Sequence, residues 1–340
     1  MHHMTDKFEI KTVVGILLIM NYHRVHQMAH YWSLNCSLGN AAIQKAISRY
    51  RFLFLIAKLD FNSPEKHADA SKLYYIEEVV SCLKRTFFKS TRQSIDESMV
   101  KFKGRSSLKQ YQPMKPVKRG IKVWESCDSK TGYFNIYTGK ESSVTEGTLG
   151  ERVVKMLIST LKIPQIVLCF DRFFTSVNLM YTLPHGCVGT YMKGRKNTPT
   201  FPTARRREVQ RGNSIFQTTR EGIIAVKWMD AKEVFVMSNC HSTEFTTAIR
   251  TLKDGSKKEF PCPSMVIFYI EFMGGVDLSD QLGTCYEVDR KSNKIFYRLL
   301  IASIVNPHVV RQDVTERRRP LLPFLVAVAE SLLTFGNESK

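Results

Sequence analysis

From Ile166 to Phe170 the chain reads Ile-Val-Leu-Cys-Phe, a continuous apolar run introduced by Pro164 and closed by Asp171. It is too short for an ordinary helix and lacks the alternation of a strand with one wet face. A strand buried on both faces accounts for it, and such strands belong to α/β folds. Asp171 then stands at the carboxyl end of that strand, the edge where open α/β sheets bind ligands. A charge set against an apolar run is costly to bury, so this aspartate calls for a reason.

The pattern changes on either side. Residues 1–93 read as mostly helical, because Ile43, Ile47 and Phe52 to Ile56 recur at helix-like spacing, as do Tyr75, Val79, Leu83 and Phe87. The Asp60 to Ala70 stretch, with Pro64, reads as a loop. From Ser94 a strand is predicted over 94–102. Gly120 to Ser126 and Tyr133 to Tyr137 then form a hairpin around Asp128-Ser-Lys-Thr-Gly132. Glu146 to Thr160 predicts a helix, with Thr148 as N-cap and Glu151 at capping-box spacing. Residues 194–264 are polar and rich in Thr and Arg, with a hairpin of Gly222 to Trp228 and Glu233 to Ser238; they read as an inserted β-rich subdomain. A helical pattern returns after Pro263, runs through Gln281, and resumes from Ile295 to about Arg311. A last helix covers Phe324 to Leu333. The expected organisation is therefore 1–93 helical, 94–193 first part of an α/β core, 194–264 insertion, 265–282 second part of the core, and 283–340 second helical part.

Lys and Arg number 50 against 31 acids, a formal net charge of +19. That balance favours a polyanion, nucleic acid above all, as partner. The 340 residues, 43% hydrophobic, suffice for two or three domains. The N-terminus is not built like a secretory signal, and the apolar run Val13 to Met20 is far below the ~20 residues of a spanning helix, so no membrane partner is expected. Eight cysteines are scattered without a Cys-x-x-Cys pair, which predicts free thiols and no zinc within these residues. Motifs for a phosphate loop, a His-Glu-x-x-His zinc protease or a Gly-x-Ser-x-Gly hydrolase are absent.

Asp171 has counterparts elsewhere. Asp96 lies in Ser94-Ile-Asp-Glu-Ser98, and Asp277 and Asp280 lie in Gly274-Gly-Val-Asp-Leu-Ser-Asp280. On a helix the i, i+3 spacing sets Asp277 and Asp280 on one face, about 5–6 Å apart at Cβ. Like charges that close invite a cation. Oxygen-only ligands suit Mg²⁺ or Mn²⁺, and two such ions about 3.5–4 Å apart can cleave a phosphodiester without a covalent intermediate. Each aspartate taken alone also fits a solvated surface, or for Asp277 a helix N-cap. Only a fold can bring them together.

The run from Lys101 to Lys122 holds Lys101, Lys103, Arg105, Lys109, Lys115, Lys118, Arg119 and Lys122 with no acid, and Phe102, Tyr111 and Trp124 lie in or beside it. Such a segment is expected to contact a phosphate backbone. Arg172, Lys193, Arg195, Arg290 and Lys291 are further candidate DNA contacts, and Arg195, Lys196, Arg205 to Arg207 and Arg211 form a second basic cluster.

At this point the residues resemble a known family. Ile95-Asp-Glu-Ser-Met-Val-Lys-Phe-Lys-Gly-Arg-Ser-Ser-Leu-Lys-Gln-Tyr-Gln-Pro-Met-Lys-Pro116, followed by Gly120-Ile-Lys-Val-Trp124, resembles the central signature of piggyBac transposable element-derived proteins. So do Tyr31-Trp-Ser33, Phe170-Asp-Arg-Phe-Phe-Thr-Ser176 and Met273-Gly-Gly-Val-Asp-Leu-Ser-Asp-Gln281, in order and spacing across almost the whole chain. The resemblance implies an RNase H-like catalytic core interrupted by a β-rich insertion domain, and a helical dimerisation and DNA-binding domain built from the flanking segments. It implies a nuclear, homodimeric transposase that cuts and joins double-stranded DNA at TTAA sites. Asp96, Asp171 and Asp277 would be catalytic and would hold two Mg²⁺ or Mn²⁺ ions, with Asp280 as an accessory metal-site acid.

The sequence departs from the family in places. Arg172 stands where members often have Asn, and Ile295-Phe296 where they often have Trp; losing an indole stack removes ~1–3 kcal/mol per base. The cysteine-rich zinc domain with which full-length members end is absent from this sequence. The resemblance therefore leaves two alternatives open beside the transposase: a catalytically silent, domesticated or truncated DNA-binding protein, and a metal-dependent nuclease that does not join strands.

Overall fold

The computed structural model describes residues 4–62, 65, 73–86, 90–128, 132–136, 146–159, 164–202, 210–285 and 294–337. The chain divides into two compact units. One comprises Met1–Thr86, Phe102–Gly104 and Gln281–Lys340; the other comprises Phe87–Lys101 and Arg105–Asp280. Among the described residues no helix is long and apolar enough to cross a membrane.

The first unit is helical. Helix α1 (Lys7–Tyr22) starts at Asp6, whose carboxylate accepts hydrogen bonds from the Phe8 and Glu9 amides, an N-cap that satisfies otherwise orphaned donors. Its residues from Ile16 to Met20 are all buried, so it is covered on every side rather than along one stripe. Helices α2 (Ala41–Ala46), α3 (Arg49–Ala57), α4 (Glu77–Thr86), α9 (Lys294–Thr315) and α10 (Leu321–Asn337) complete the unit. Phe52, Tyr297, Ile301 and Leu325 lie in the same apolar core as α1. Phe296, which stands where an indole was expected to stack on a base, is also buried there and stacks on Phe61 at 4.3 Å. Its ring serves the core instead of a free surface.

The second unit is built on a mixed sheet. Its strands are β1 (Arg92–Lys101), β2 (Lys109–Tyr111), β3 (Arg119–Cys127), β4 (Gly132–Ile136), β5 (Val167–Phe170), β6 (Gly186–Thr190), β7 (Ser214–Thr218), β8 (Ile224–Met229) and β9 (Glu233–Ser238). They run in the order β2-β3-β1-β5-β6-β9-β8-β7, and β4 lies beside β3. β5 pairs in parallel with both β1 and β6, while β3 is antiparallel to β1. The apolar run Ile166 to Phe170 thus supplies a central strand, with Leu168, Cys169 and Phe170 fully buried. Helices α5 (Leu149–Ser159), α6 (Val177–Thr182), α7 (Ser264–Phe272) and α8 (Gly275–Cys285) belong with this sheet, α8 crossing the division between the units. The predicted capping box at α5 is present: the Thr148 amide donates to Glu151 Oε2 at 2.9 Å, and the Glu151 amide to Thr148 Oγ1 at 3.3 Å.

Residues 194–264 are rich in strands. Strands β7, β8 and β9 extend the main sheet, because β9 pairs with β6 through Val188–Ser238 to Thr190–Val236. The cause is shared burial: Val188, Val226, Trp228 and Val236 enter one apolar cluster with Met265 and Val266 of α7, which removes an open edge at β6. Only β10 (Phe245–Thr251) and β11 (Lys257–Pro263) form a sheet of their own. Most of the loop expected over Asp60 to Ala70, and part of the predicted turn after Asp128, lie outside the described residues.

The Gly274-Gly275 pair separates a needed glycine from an incidental one. A Cβ on Gly275 would meet the Asp128 carbonyl oxygen at 2.3 Å and Ser94 Oγ at 2.7 Å, whereas one on Gly274 meets nothing within 4 Å. Gly275→Ala is expected to cost about 1–3 kcal/mol by overpacking, and Gly274→Ala less than ~0.5 kcal/mol. Equilibrium denaturation reads the difference; equal midpoints for the two variants would contradict the close approach.

Candidate active site

Strand pairing decides which carboxylates meet. β1 and β5 align Ile95 with Phe170, so the residues that follow, Asp96 and Asp171, stand side by side on chains ~4.8 Å apart. β5 and β6 align Phe170 with Gly189, which sets Thr190 beside Asp171. β1 and β3 align Asp96 with Glu125, itself 1% exposed. Partners in register share a face, so Glu125, Asp96, Asp171 and Thr190 form a polar row across the sheet. From α7, the Tyr269 hydroxyl joins the end of this row through a 3.2 Å hydrogen bond with Thr190 Oγ1.

Burial controls the charge of the row. Desolvation pushes the Asp96 carboxyl up to about 6; Lys115 and the Glu97 amide oppose the rise, and the Asp171 and Glu97 carboxylates add to it. Asp171 is raised for the same leading reason, against the Phe173 amide. Burial, with a smaller contribution from these two aspartates, pushes the Tyr269 phenol up to about 12, so it remains a hydrogen-bond donor near them.

The loop after β5 is held from both sides. Asp171 Oδ1 accepts from the Phe173 amide at 2.7 Å, and the Asp171 carbonyl accepts from the Phe174 and Thr175 amides at 3.1 Å. The Arg195 guanidinium donates to the carbonyls of Arg172 and Thr175, each at 2.6 Å, and of Phe173 at 3.0 Å. Ser176 donates to the Glu151 carboxylate and, as the N-cap of α6, accepts from the Leu179 amide.

Helix α8 contributes unequally. Asp280 accepts a 2.5 Å hydrogen bond from Ser98, on the same face of β1 as Asp96. Asp277 lies in the first turn of α8 and is exposed. The charges that act most strongly on Asp96 are Lys115, Asp171 and Glu97, and on Asp171 they are Glu97 and Lys115. The structure therefore gathers Asp96 and Asp171, ties Asp280 to β1, and carries Asp277 exposed on the same helix as Asp280. Among the described residues no three His, Cys, Asp or Glu side chains come close enough to hold a metal ion together. Two half-buried oxygen-donor carboxylates still fit a hard cation of the Mg²⁺ type, which uses one or two protein carboxylates and completes its shell with water and phosphate. Cys240 lies 3.5 Å from the His241 ring, but Cys262 is packed in the apolar cluster, and these residues form no ligand set.

The expected DNA contacts separate by environment. Lys101, Lys103, Arg105, Lys109, Lys118, Arg119, Arg172 and Lys193 are exposed, with Lys103 in the helical unit. Lys122 does not belong with them. It is 7% exposed, its ammonium lies 3.2 Å from Glu97 and 4.0 Å from the Trp124 ring centre, and a desolvated cation there is held by both. Lys115 is also turned inward: Nζ donates to the Glu97 carbonyl at 2.9 Å and stands 3.9 Å from Asp96 Oδ1. Arg195 uses its guanidinium on the Asp171 loop, and Arg211 pairs with Asp230. Arg290, Lys291 and Arg205 to Arg207 lie outside the described residues. Sequence reasoning missed Glu125, Thr190 and Tyr269; nothing local marks them, since their place depends on strand register and on where α7 packs.

A transposase family described as Transposase IS4 matches residues 2–308. The chain belongs to this transposase family. It is similar to human piggyBac transposable element-derived protein 3, with 26% identity over 290 residues that cover 80% of this chain and 49% of that protein. It is also similar to human piggyBac transposable element-derived protein 2, with 26% identity over 321 residues covering 88% and 53%. The chain thus spans about half the length of these relatives. A cryo-EM structure of a piggyBac transposase synaptic complex with hairpin DNA shares the fold, with a TM-score of 0.81, 22% identity, and coverage of 98% of this chain and 73% of that one. The resemblance read from the motifs is therefore that of a piggyBac-type member of a transposase family, and its mixed α/β fold is shared.

The buried carboxyl makes a pH prediction. In the metal-free protein Asp96 keeps its proton to about pH 6, whereas an unfolded Asp loses it near ~3.9. The folded state binds more protons between these limits, so Asp96 makes stability fall as pH rises from about 4 to about 6. Its contribution, on the order of 3 kcal/mol, is expected to disappear in Asp96→Asn. In Lys115→Met the upper limit should move above about 6, since Lys115 holds the carboxyl down. Denaturant melts across this range test it; parallel stability profiles for wild type and Asp96→Asn would reject the assignment.

Proposed function

We propose that this chain is a piggyBac-type transposase, cutting double-stranded DNA and joining strands at TTAA sites in the nucleus as a homodimer. One observation carries the reading: the register of β1 and β5 sets Asp96, within β1, beside Asp171 at the end of β5, both desolvated enough to raise their proton affinity. The order β4-β3-β1-β5-β6, with β3 alone running against the others, supports an RNase H-like core. The similar proteins support a role on DNA, and the net charge of +19 agrees with it.

Asp96 and Asp171 would hold Mg²⁺ or Mn²⁺, with Asp277 and Asp280 completing the acidic set from α8. Bound there, the cation supplies charge neutralisation at the phosphodiester and a lowered water pKa. The chain's own groups do the rest. Arg195 fixes the loop that carries Asp171, so the carboxylate is presented without reorganisation. Exposed Arg172 offers a cation to the phosphate next to that carboxylate. The Tyr269 hydroxyl, hydrogen-bonded with Thr190, adds a polar group at the end of the row.

A second reading is a silent DNA-binding protein of the same ancestry. It is favoured by Lys115, whose ammonium already stands beside Asp96, and by the exposed position of Asp277. Purified protein with a TTAA-flanked duplex end separates the two. The transposase reading expects Mg²⁺- or Mn²⁺-dependent nicks and joined products, abolished by Asp171→Ala while DNA binding persists. Binding without any nick in either metal would sink the enzyme reading, and nicks without joined products would leave only a nuclease.

A further inference from the structure

The end of α9 and the start of α10 enclose a cavity of about 280 Å³ within the helical unit, remote in sequence from the acidic motifs. Arg311, Arg317 and Arg319 line it, and no acidic residue does. The walls are built. At Glu316 the backbone takes φ 51°, and the chain turns there, with Glu316 exposed and outside the lining. Gln312 Nε2 donates to the Arg319 carbonyl at 2.5 Å and lies 2.8 Å from the ring nitrogen of buried His308. That side chain fastens the returning turn to α9. The Phe324 ring packs 5.1 Å from the His308 ring, with the Arg311 guanidinium 5.9 Å from its centre.

Three guanidinium groups around one cavity repel one another, and the fixed turn keeps them there. The first turn of α10, a helix of 17 residues, carries no acid to offset them, so its amino-terminal dipole adds positive potential. An anion relieves this arrangement. Guanidinium forks match phosphate oxygens in pairs, more specifically than ammonium groups do. The cavity is smaller than the ~300–1,000 Å³ of sites that enclose drug-sized ligands, and its arginines are exposed. It suits one phosphate of a longer polymer whose neighbouring units continue over the surface. Phe324 gives an apolar wall on which a sugar can rest.

We propose that this pocket binds a phosphodiester of the DNA backbone. The inference rests on DNA being the partner proposed above, and is independent of whether the chain cuts it. The test measures affinity for a duplex over a salt series, in wild type and in the double variant Arg311→Gln/Arg319→Gln. Each phosphate that the protein no longer neutralises lowers the slope of log affinity against log salt by ~0.9. The double variant should therefore lose about one unit of slope, and weaken binding to all duplexes alike. Arg311→Lys/Arg319→Lys, which keeps the charge, should retain most of the slope. An unchanged slope in the Gln variant overturns the proposal. If inorganic phosphate then still binds wild type and not the variant, the pocket takes a free anion, and DNA is excluded as its source. Asp171→Ala should keep the full slope whether or not wild type nicks DNA, so failure here and failure of the enzyme reading show up separately. If the Gln variant does not fold, protection of Arg311 and Arg319 from phenylglyoxal by duplex DNA in wild-type protein answers the same question, and absence of protection overturns it.

Discussion

The backbone ladder between β1 and β5, from Arg92–Val167 to Ile95–Phe170, determines which acidic groups can meet. A slip of one residue would turn one aspartate to the opposite face of the sheet. The register is protected by what lies beneath it: Ile95, Leu168 and Phe170 are fully buried, and any slip would move them as well. The energy that sets Asp96 beside Asp171 therefore comes from apolar burial, which outweighs the cost of crowding and partly desolvating two carboxyls. That cost remains visible in the raised proton affinity of both.

Much of this was legible in the sequence. The run Ile166 to Phe170 marked its own burial, the Thr148 and Glu151 spacing marked the start of α5, and the two strands read on either side of Asp128 to Gly132 pair as β3 and β4, because each depends on residues close in the chain. The polar row did not show, for the opposite reason. Glu125, Thr190 and Tyr269 acquire their meaning only from the strand or helix beside them. How the strands of 194–264 join the rest was equally hidden, since composition cannot reveal that β9 completes the edge of β6. The spacing of Asp277 and Asp280 correctly placed both on α8, but it could not say which would be tied to β1.

Positive charge proves to be several kinds of residue. One kind is exposed, from Lys101 to Arg119. A second is structural: Lys122 over Trp124, Arg195 on three carbonyls, and Arg211 on Asp230. Lys115 is a third, a cation directed at the acids themselves. A count of lysines and arginines treats these alike, although burial separates them. The net charge of +19 is therefore a poor measure of how much positive surface a nucleic acid would meet.

The segment from Asp171 to Ser176 is pinned at one end by Arg195 and at the other by the Glu151 carboxylate, which also caps α5. Two helix starts and one strand end therefore share their hydrogen bonds. Such a segment does not open by itself. Its amides should exchange with solvent only when the surrounding sheet opens, as part of one cooperative block. Its conformational freedom is lost when the chain folds, and Asp171 is held immobile from that point on.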